Sequence, residues 1–276
     1  EHRWLPIFWA LDYFKVAQAQ DVKENNWTMA QPTESEIPSA SKCRQAFLNA
    51  MDNWDEQAAD AAVAGIARQL PAHEVYEMFF RYGARDYRSI GHKAIFVANS
   101  WRTLQCIGWR HAEPIVRSLA YALLNHEGDN PAKGDAEADR PWRENVPRAL
   151  KFRDNWLDGR VDPKATTQML DVLRSGNYEE ASQEVLNQIN AGISPQAIRD
   201  AYFLDAAELL VRQPAIVAMH AVTSTNALRF AFRTTANDNT RRMILLQTAA
   251  FLTLFHKSMR ARGRVTDFRI DDLEPL

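Results

Sequence analysis

Apolar residues recur along most of the chain every three or four positions, the spacing that lines one face of an α-helix. The two-residue alternation of a half-buried strand is scarce. The spacing predicts helices over residues 4–20, 42–52, 55–68, 72–83, 87–106, 111–126, 142–157, 163–174, 178–191, 195–211, 213–232 and 241–261. Ser194-Pro195 is a good helix start, because proline at the first helical position loses no needed donor. The expected fold is an all-α helical bundle of about ten to twelve helices, forming a single domain over residues 1–276.

Two stretches interrupt the pattern. "ENNWTMAQPTESEIPSASK" (24–42) is polar and holds two prolines, and "HEGDNPAKGDAEADRPWREN" (126–145) mixes glycine, proline and charge. A connection of that length inside a compact helical fold is usually functional or disordered. The second is read either as a lid or as a plain solvated linker. The pattern also hints at a repeat, over 54–105 and 178–228. "WDEQAADAAVAGIARQLPAHEVYEMFF" (54–80) can be laid on "YEEASQEVLNQINAGISPQAIRDAYFL" (178–204), so that Trp54 meets Tyr178, Pro71 meets Pro195 and Phe79 meets Phe203. "AIFVANS" (94–100) then lies near "AIVAMHA" (215–221). Two similar helical halves would place a site at their junction; chance likeness between amphipathic helices is the rival explanation.

Composition narrows the function. With 276 residues, 46% of them hydrophobic, the chain can bury a large core. A net charge of −2 gives no basic face for nucleic acid. The longest apolar runs, such as "MILLQTAAFLTLF", are interrupted and short of the ~20 residues a spanning helix needs, so no membrane partner is expected. "EHRWLPIFWALDYF" reads as an aromatic amphipathic helix rather than a cleavable signal. Cys43 and Cys106 form no Cys-x-x-Cys pair, which suits a reducing, cytoplasmic setting; export of a trimmed precursor is the alternative. Eight tryptophans and thirteen phenylalanines exceed what one small core readily hides and point to a homodimer.

Candidate chemistry centres on the seven histidines. His2 is terminal. His73 has Glu77 one turn on, a surface pair, and His126 sits at a helix end, where a cation meets the dipole favourably. The other four are embedded in apolar helices. His92, Asn99 and Thr103 share one face of 87–106; His111 opens the next helix; His220 and Thr223 line a strip of 213–232; and His256 lies in 241–261. A buried polar group left unpaired costs about 1–3 kcal/mol, so these groups need partners. Core histidines bonded to carbonyls would suffice, but four in separate helices also fit a shared pocket. His92, His111 and His220 could bind a metal such as iron, assembled from distant helices, although no His-x-x-His or His-Glu-x-x-His motif occurs. Equally, imidazoles with pKa values near neutrality suit acid–base work. Asn99, Thr103 and His256 would line the cofactor side of such a pocket. No Gly-x-Ser-x-Gly, Gly-x-Gly-x-x-Gly or Walker loop is present. Glu113, at a helix start, and Glu208, with Arg212 one turn on as its expected partner, read first as structural.

"PAIVAMHAVTSTNAL" (214–228) resembles the Pro-x-Ile-x-x-x-His-Ala-Val-Thr…Ala-Leu segment of the questin oxidase-like family, and "GHKAI" (91–95) resembles that family's earlier Gly-His helix. The likeness extends loosely over 55–232. It implies a mostly helical fold and oxygen-dependent ring opening of a conjugated substrate, with NADPH as reductant. It also implies site roles for His92 and His220, with Thr223 beside them. "HRWLPIFWALDYFK" and "IGWRHAEP" are departures from the family pattern and put the substrate in doubt. "LNQINAGISPQAIRDAYFLDAAELLVRQPAI" is similar to the helical repeat of carboxymuconolactone decarboxylase and alkylhydroperoxidase-D-like proteins, but the Cys-x-x-Cys pair of their peroxidase branch is absent. The expected function is therefore an oxidoreductase using dioxygen on a small aromatic or conjugated substrate. The alternatives are a cofactor-free decarboxylase or isomerase using the same histidines, and a helical scaffold whose histidines are satisfied core groups.

Overall fold

The computed structural model describes residues 2–24 and 29–273. The chain divides into two compact units, residues 1–36 and 37–276. The first carries α1 (Leu5–Lys23), with Pro6 in its first turn, where a missing N–H does no harm.

The second unit is all helix: α2 (Ala40–Asn53), α3 (Glu56–Gln69), α4 (Ala72–Gly83), α5 (His92–Ile107), α6 (Ala112–Leu124), α7 (Arg140–Ala149), α8 (Pro163–Ser175), α9 (Tyr178–Asn190), α10 (Pro195–Arg212), α11 (Ile216–Thr234) and α12 (Asp238–Arg260). No strand occurs among the described residues; the only extended pairing is a single bridge between Arg160 and Ile193. Polar caps fix several starts. Asp55, Asp162, Ser194 and Asn237 each accept a first-turn backbone N–H. Asn177 and Glu180 form a reciprocal capping box at α9.

The core is built around α12. Every residue from Met243 to His256 is buried, as expected of a helix apolar around its circumference. It packs against α4, α7, α8, α9, α10 and α11. Around it, α3 packs on α6 and α5 on both α4 and α6, while α9 packs on α12 and α11 on both α10 and α12. α5 and α11 meet each other between these groups. His92 contacts His220, and ten residues on, Arg102 lies 4.4 Å from the Phe230 ring, so the two helices run parallel.

Two helices differ most from the pattern-based boundaries. The helix expected over 87–106 begins only at His92, because Ser89, Ile90 and Gly91 have φ of 54°, 49° and 78°. The helix expected over 142–157 runs from Arg140 to Ala149. Pro147 lacks an N–H and its ring opposes the preceding turn, so the helix stops two residues later. The 126–145 segment is docked by side-chain and backbone bonds: Asn130 donates to Asn53 O (2.9 Å), Tyr87 N–H to Ala138 O (3.2 Å), and Lys257 bonds to Glu137 (2.5 Å).

Candidate functional site

The chain enters α5 through a left-handed turn. Ser89 and Ile90 are rarely found with positive φ, and a β-branched residue there is a strained outlier. The surroundings hold the turn in place. Arg88 grips Asp139 with both terminal nitrogens (2.6 Å for Nη2 to Oδ2) and donates its backbone N–H to Asp86 (3.1 Å). Tyr87 packs edge-on against Phe251 and Phe255 and bonds Ser258 (3.2 Å). Gly91 O accepts the Ser224 hydroxyl of α11 (3.1 Å). A side chain at Gly91 would meet Ser224 Oγ at 2.4 Å, so glycine permits both the backbone angle and the close approach.

This turn delivers His92 to the seam with α11. Its Nδ1 faces Ser89 O, and its ring packs on Phe96 (5.5 Å). One turn into α11, His220 Nδ1 faces Ile216 O at 2.6 Å. The two Nε2 atoms then lie 2.8 Å apart, with ring centroids 4.2 Å apart. The carbonyl partners assign the hydrogen of each ring to Nδ1. Two neutral rings would therefore present facing lone pairs at 2.8 Å, which repel. A proton or a cation between them removes the conflict. Both histidines are half-buried, and Phe96, Ile216 and Met219 nearby in sequence leave apolar surface exposed.

The other expected site residues are not gathered at the pair. His111 is exposed and accepts from Arg110 Nε (2.9 Å). Among the described residues, no group of three or more His, Cys, Asp or Glu converges as a metal site, so the three-histidine set is not assembled. Asn99 bonds Arg102 (3.2 Å), and Asn99 and Thr103 are exposed on α5. Thr223 is exposed and its hydroxyl returns to Met219 O (3.0 Å), the usual local bond of a helical threonine. His256 lies in the core, 2.8 Å from the fully buried Asp205. Glu77 does not pair with His73; it accepts from Ala236 N (3.0 Å) and from the Thr235 hydroxyl. Glu208 is held mainly by Arg174 (2.5 Å) and less by Arg212 (3.4 Å), and it also accepts from Ile270 N (3.0 Å). Glu113 is gripped by Arg68 (2.7 and 2.9 Å), which holds its carboxyl below the usual range.

Sequence reasoning missed a polar cluster directly beneath the turn. Asp86 is fully buried and lies 3.1 Å from Lys93 Nζ, itself buried. Lys93 also donates to Leu123 O (2.7 Å), and Arg85 donates to Met51 O (2.6 Å). Arg85, Lys93 and Arg88 surround the Trp54 ring at 3.8, 4.6 and 4.9 Å, a triple cation–π arrangement. The available signal was the density of charge in "RYGARDYRSIGHK" (81–93) between two apolar helices.

Burial pushes the Lys93 ammonium down to about 8, with Asp86 opposing the shift. The folded value lies below the ordinary amine value of 10.5. Between the two, the unfolded chain holds the proton and the native chain does not, so stability rises with pH across that window. Lys93→Met is expected to flatten the rise between about pH 8 and 10, read by urea unfolding at several pH values. An identical slope in wild type and variant would show that Lys93 does not titrate in this window.

The structure defines an all-α bundle with a paired-histidine seam. Against known proteins, no family, no curated protein and no solved structure matches this chain. No helix among the described residues is long and apolar enough to cross a membrane.

Proposed function

We propose that the chain is an enzyme whose His92–His220 pair moves a proton to and from a small conjugated organic substrate, with dioxygen as the oxidant. The observation that carries the reading is the Nε2–Nε2 approach of 2.8 Å, with both Nδ1 atoms turned to carbonyls. One shared proton satisfies that geometry and gives the pair a single positive charge. The pair opens around an enolic or phenolic oxygen. The neutral imidazole takes the O–H proton, and the imidazolium beside it neutralises the oxyanion. The conjugated anion so formed is electron-rich and is the species offered to dioxygen. Oxygen and NADPH rest on the resemblance of "GHKAI" and "PAIVAMHAVTSTNAL" to questin oxidase-like segments. The strained turn before His92 supports a functional reading, since such strain concentrates at active sites.

A proton suits the site better than iron. Two imidazoles fall short of the three or four protein donors that usually hold such a metal, and no third donor joins them among the described residues. The test is oxygen uptake with a panel of hydroxyanthraquinones, catechols and 1,3-diketones. His92→Gln and His220→Gln are each expected to lower kcat/KM by about 10²–10⁴-fold. Exchange of an acidic C–H with solvent deuterium, without oxygen uptake, would assign the pair to isomerase or decarboxylase chemistry. Turnover unchanged in both variants would remove the pair from the reaction.

A further inference from the structure

α1 belongs to the N-terminal unit, and none of its residues is buried. Five aromatics, Trp4, Phe8, Trp9, Tyr13 and Phe14, are 56–78% exposed. Between them they present roughly 600 Å², and the aliphatic side chains of the helix add to this. The largest apolar patch of an ordinary monomer is about 300–600 Å², so α1 calls for a cover. Its sequence indicates which. A stripe at alternating three- and four-residue steps runs through Leu5, Phe8, Asp12, Lys15, Ala19 and Val22. The stripe is apolar at both ends and carries opposite charges at its centre. Laid against the same stripe running the other way, every member meets a complement. Leu5 faces the partner's Val22, the large Phe8 faces the partner's small Ala19, and Asp12 faces the partner's Lys15. Twofold symmetry repeats each contact. A parallel pair would instead set like charges against each other at both central layers.

We propose that α1 pairs antiparallel with α1 of a second copy of this chain, in the register fixed by two reciprocal Asp12–Lys15 contacts. Charged layers in a helix seam are less stabilising than apolar ones, but they select orientation and register. A second copy suits the helix better than a lipid surface. Hydrocarbon disfavours Asp12 and Lys15 in the middle of the stripe. A helix lying on a membrane has a basic polar face, whereas Asp12 and Asp21 balance Lys15 and Lys23 in α1. The pairing is independent of the histidine chemistry.

The test is sedimentation equilibrium of the full chain at low ionic strength, with circular dichroism to establish that each variant folds. The wild type is expected to be a dimer. Asp12→Lys and Lys15→Asp, both at exposed positions, are each expected to weaken association by about tenfold or more, because like charges then meet in the central layers. The double variant Asp12→Lys/Lys15→Asp restores opposite charges and is expected to return to within about threefold of the wild type. Phe14 lies on the far side of α1 from the stripe, so Phe14→Glu is expected to leave the dimer intact. A monomeric wild type would overturn the proposal, whether it stays in solution or floats with phosphatidylcholine–phosphatidylglycerol vesicles. Dimerisation unchanged in both single charge variants, a double variant as weak as the singles, or an equal loss in Phe14→Glu would do the same.

Discussion

Asp86→Ala is expected to lower the unfolding free energy by about 3–5 kcal/mol, the usual loss when one partner of a buried ion pair is removed. Asp86 has no exposed surface, and its carboxylate stands 3.1 Å from Lys93, 3.5 Å from Arg88 and 3.6 Å from Arg85. Without it, Arg88 keeps Asp139, but Lys93 and Arg85 are left with the Trp54 indole and backbone carbonyls, and their repulsion inside the fold goes uncompensated. Lys93→Met alone costs less, because both arginines still neutralise Asp86. The double variant Asp86→Ala/Lys93→Met is expected to recover part of the loss, since one of the stranded cations is gone. Urea unfolding of the four proteins measures this directly. A loss under about 1 kcal/mol for Asp86→Ala, within the range of an exposed pair, would show that the cluster is not held by its carboxylate.

Gly91→Ala is expected to cost about 2–4 kcal/mol, combining a left-handed backbone with overpacking. The new methyl would lie 2.4 Å from Ser224 Oγ and 3.2 Å from Phe255, both in packed helices. Relief requires the turn to withdraw from α11. That movement carries His92 away from His220, so the variant is expected to lose the imidazole contact as well as stability. A fully folded Gly91→Ala protein with wild-type stability would mean that the approach of the turn to α11 is looser than its 3.1 Å hydrogen bond indicates.

How much of this was legible beforehand depends on the range of the interaction. The twelve helices among the described residues follow from local apolar spacing, whereas the burial of all of 243–256, with Gln247, Thr248, Thr253 and His256 inside it, depends on the helices packed around α12. His92 and His220 were both singled out, by burial pattern and by resemblance, but their 2.8 Å meeting depends on two helices 128 residues apart in sequence. The left-handed turn at 89–91 had only one sign, Gly91, and Ser89 and Ile90 gave none, because tertiary packing overrides their preference. The grouping of His111 and His256 with the pair failed for a related reason. Helical spacing gives the face a residue occupies, not which neighbour meets that face. His256 instead finds Asp205 in the core, and His111 stays in solvent. The Trp54 cluster has no local signature, because Arg85, Asp86, Arg88 and Lys93 have the spacing of solvated charges and are brought to the ring only by packing against α2 and the end of α6.

The measurement that bears most directly on the account is imidazole ¹⁵N nuclear magnetic resonance, on wild type, His92→Gln, His220→Gln and Gly91→Ala. The geometry predicts protonated Nδ1 on both rings and one slowly exchanging proton common to the two Nε2 atoms. Replacing either histidine should abolish that signal, and Gly91→Ala should shift it. Two independent imidazoles, each indifferent to replacement of the other, would contradict the shared proton and with it the proposed reactive centre.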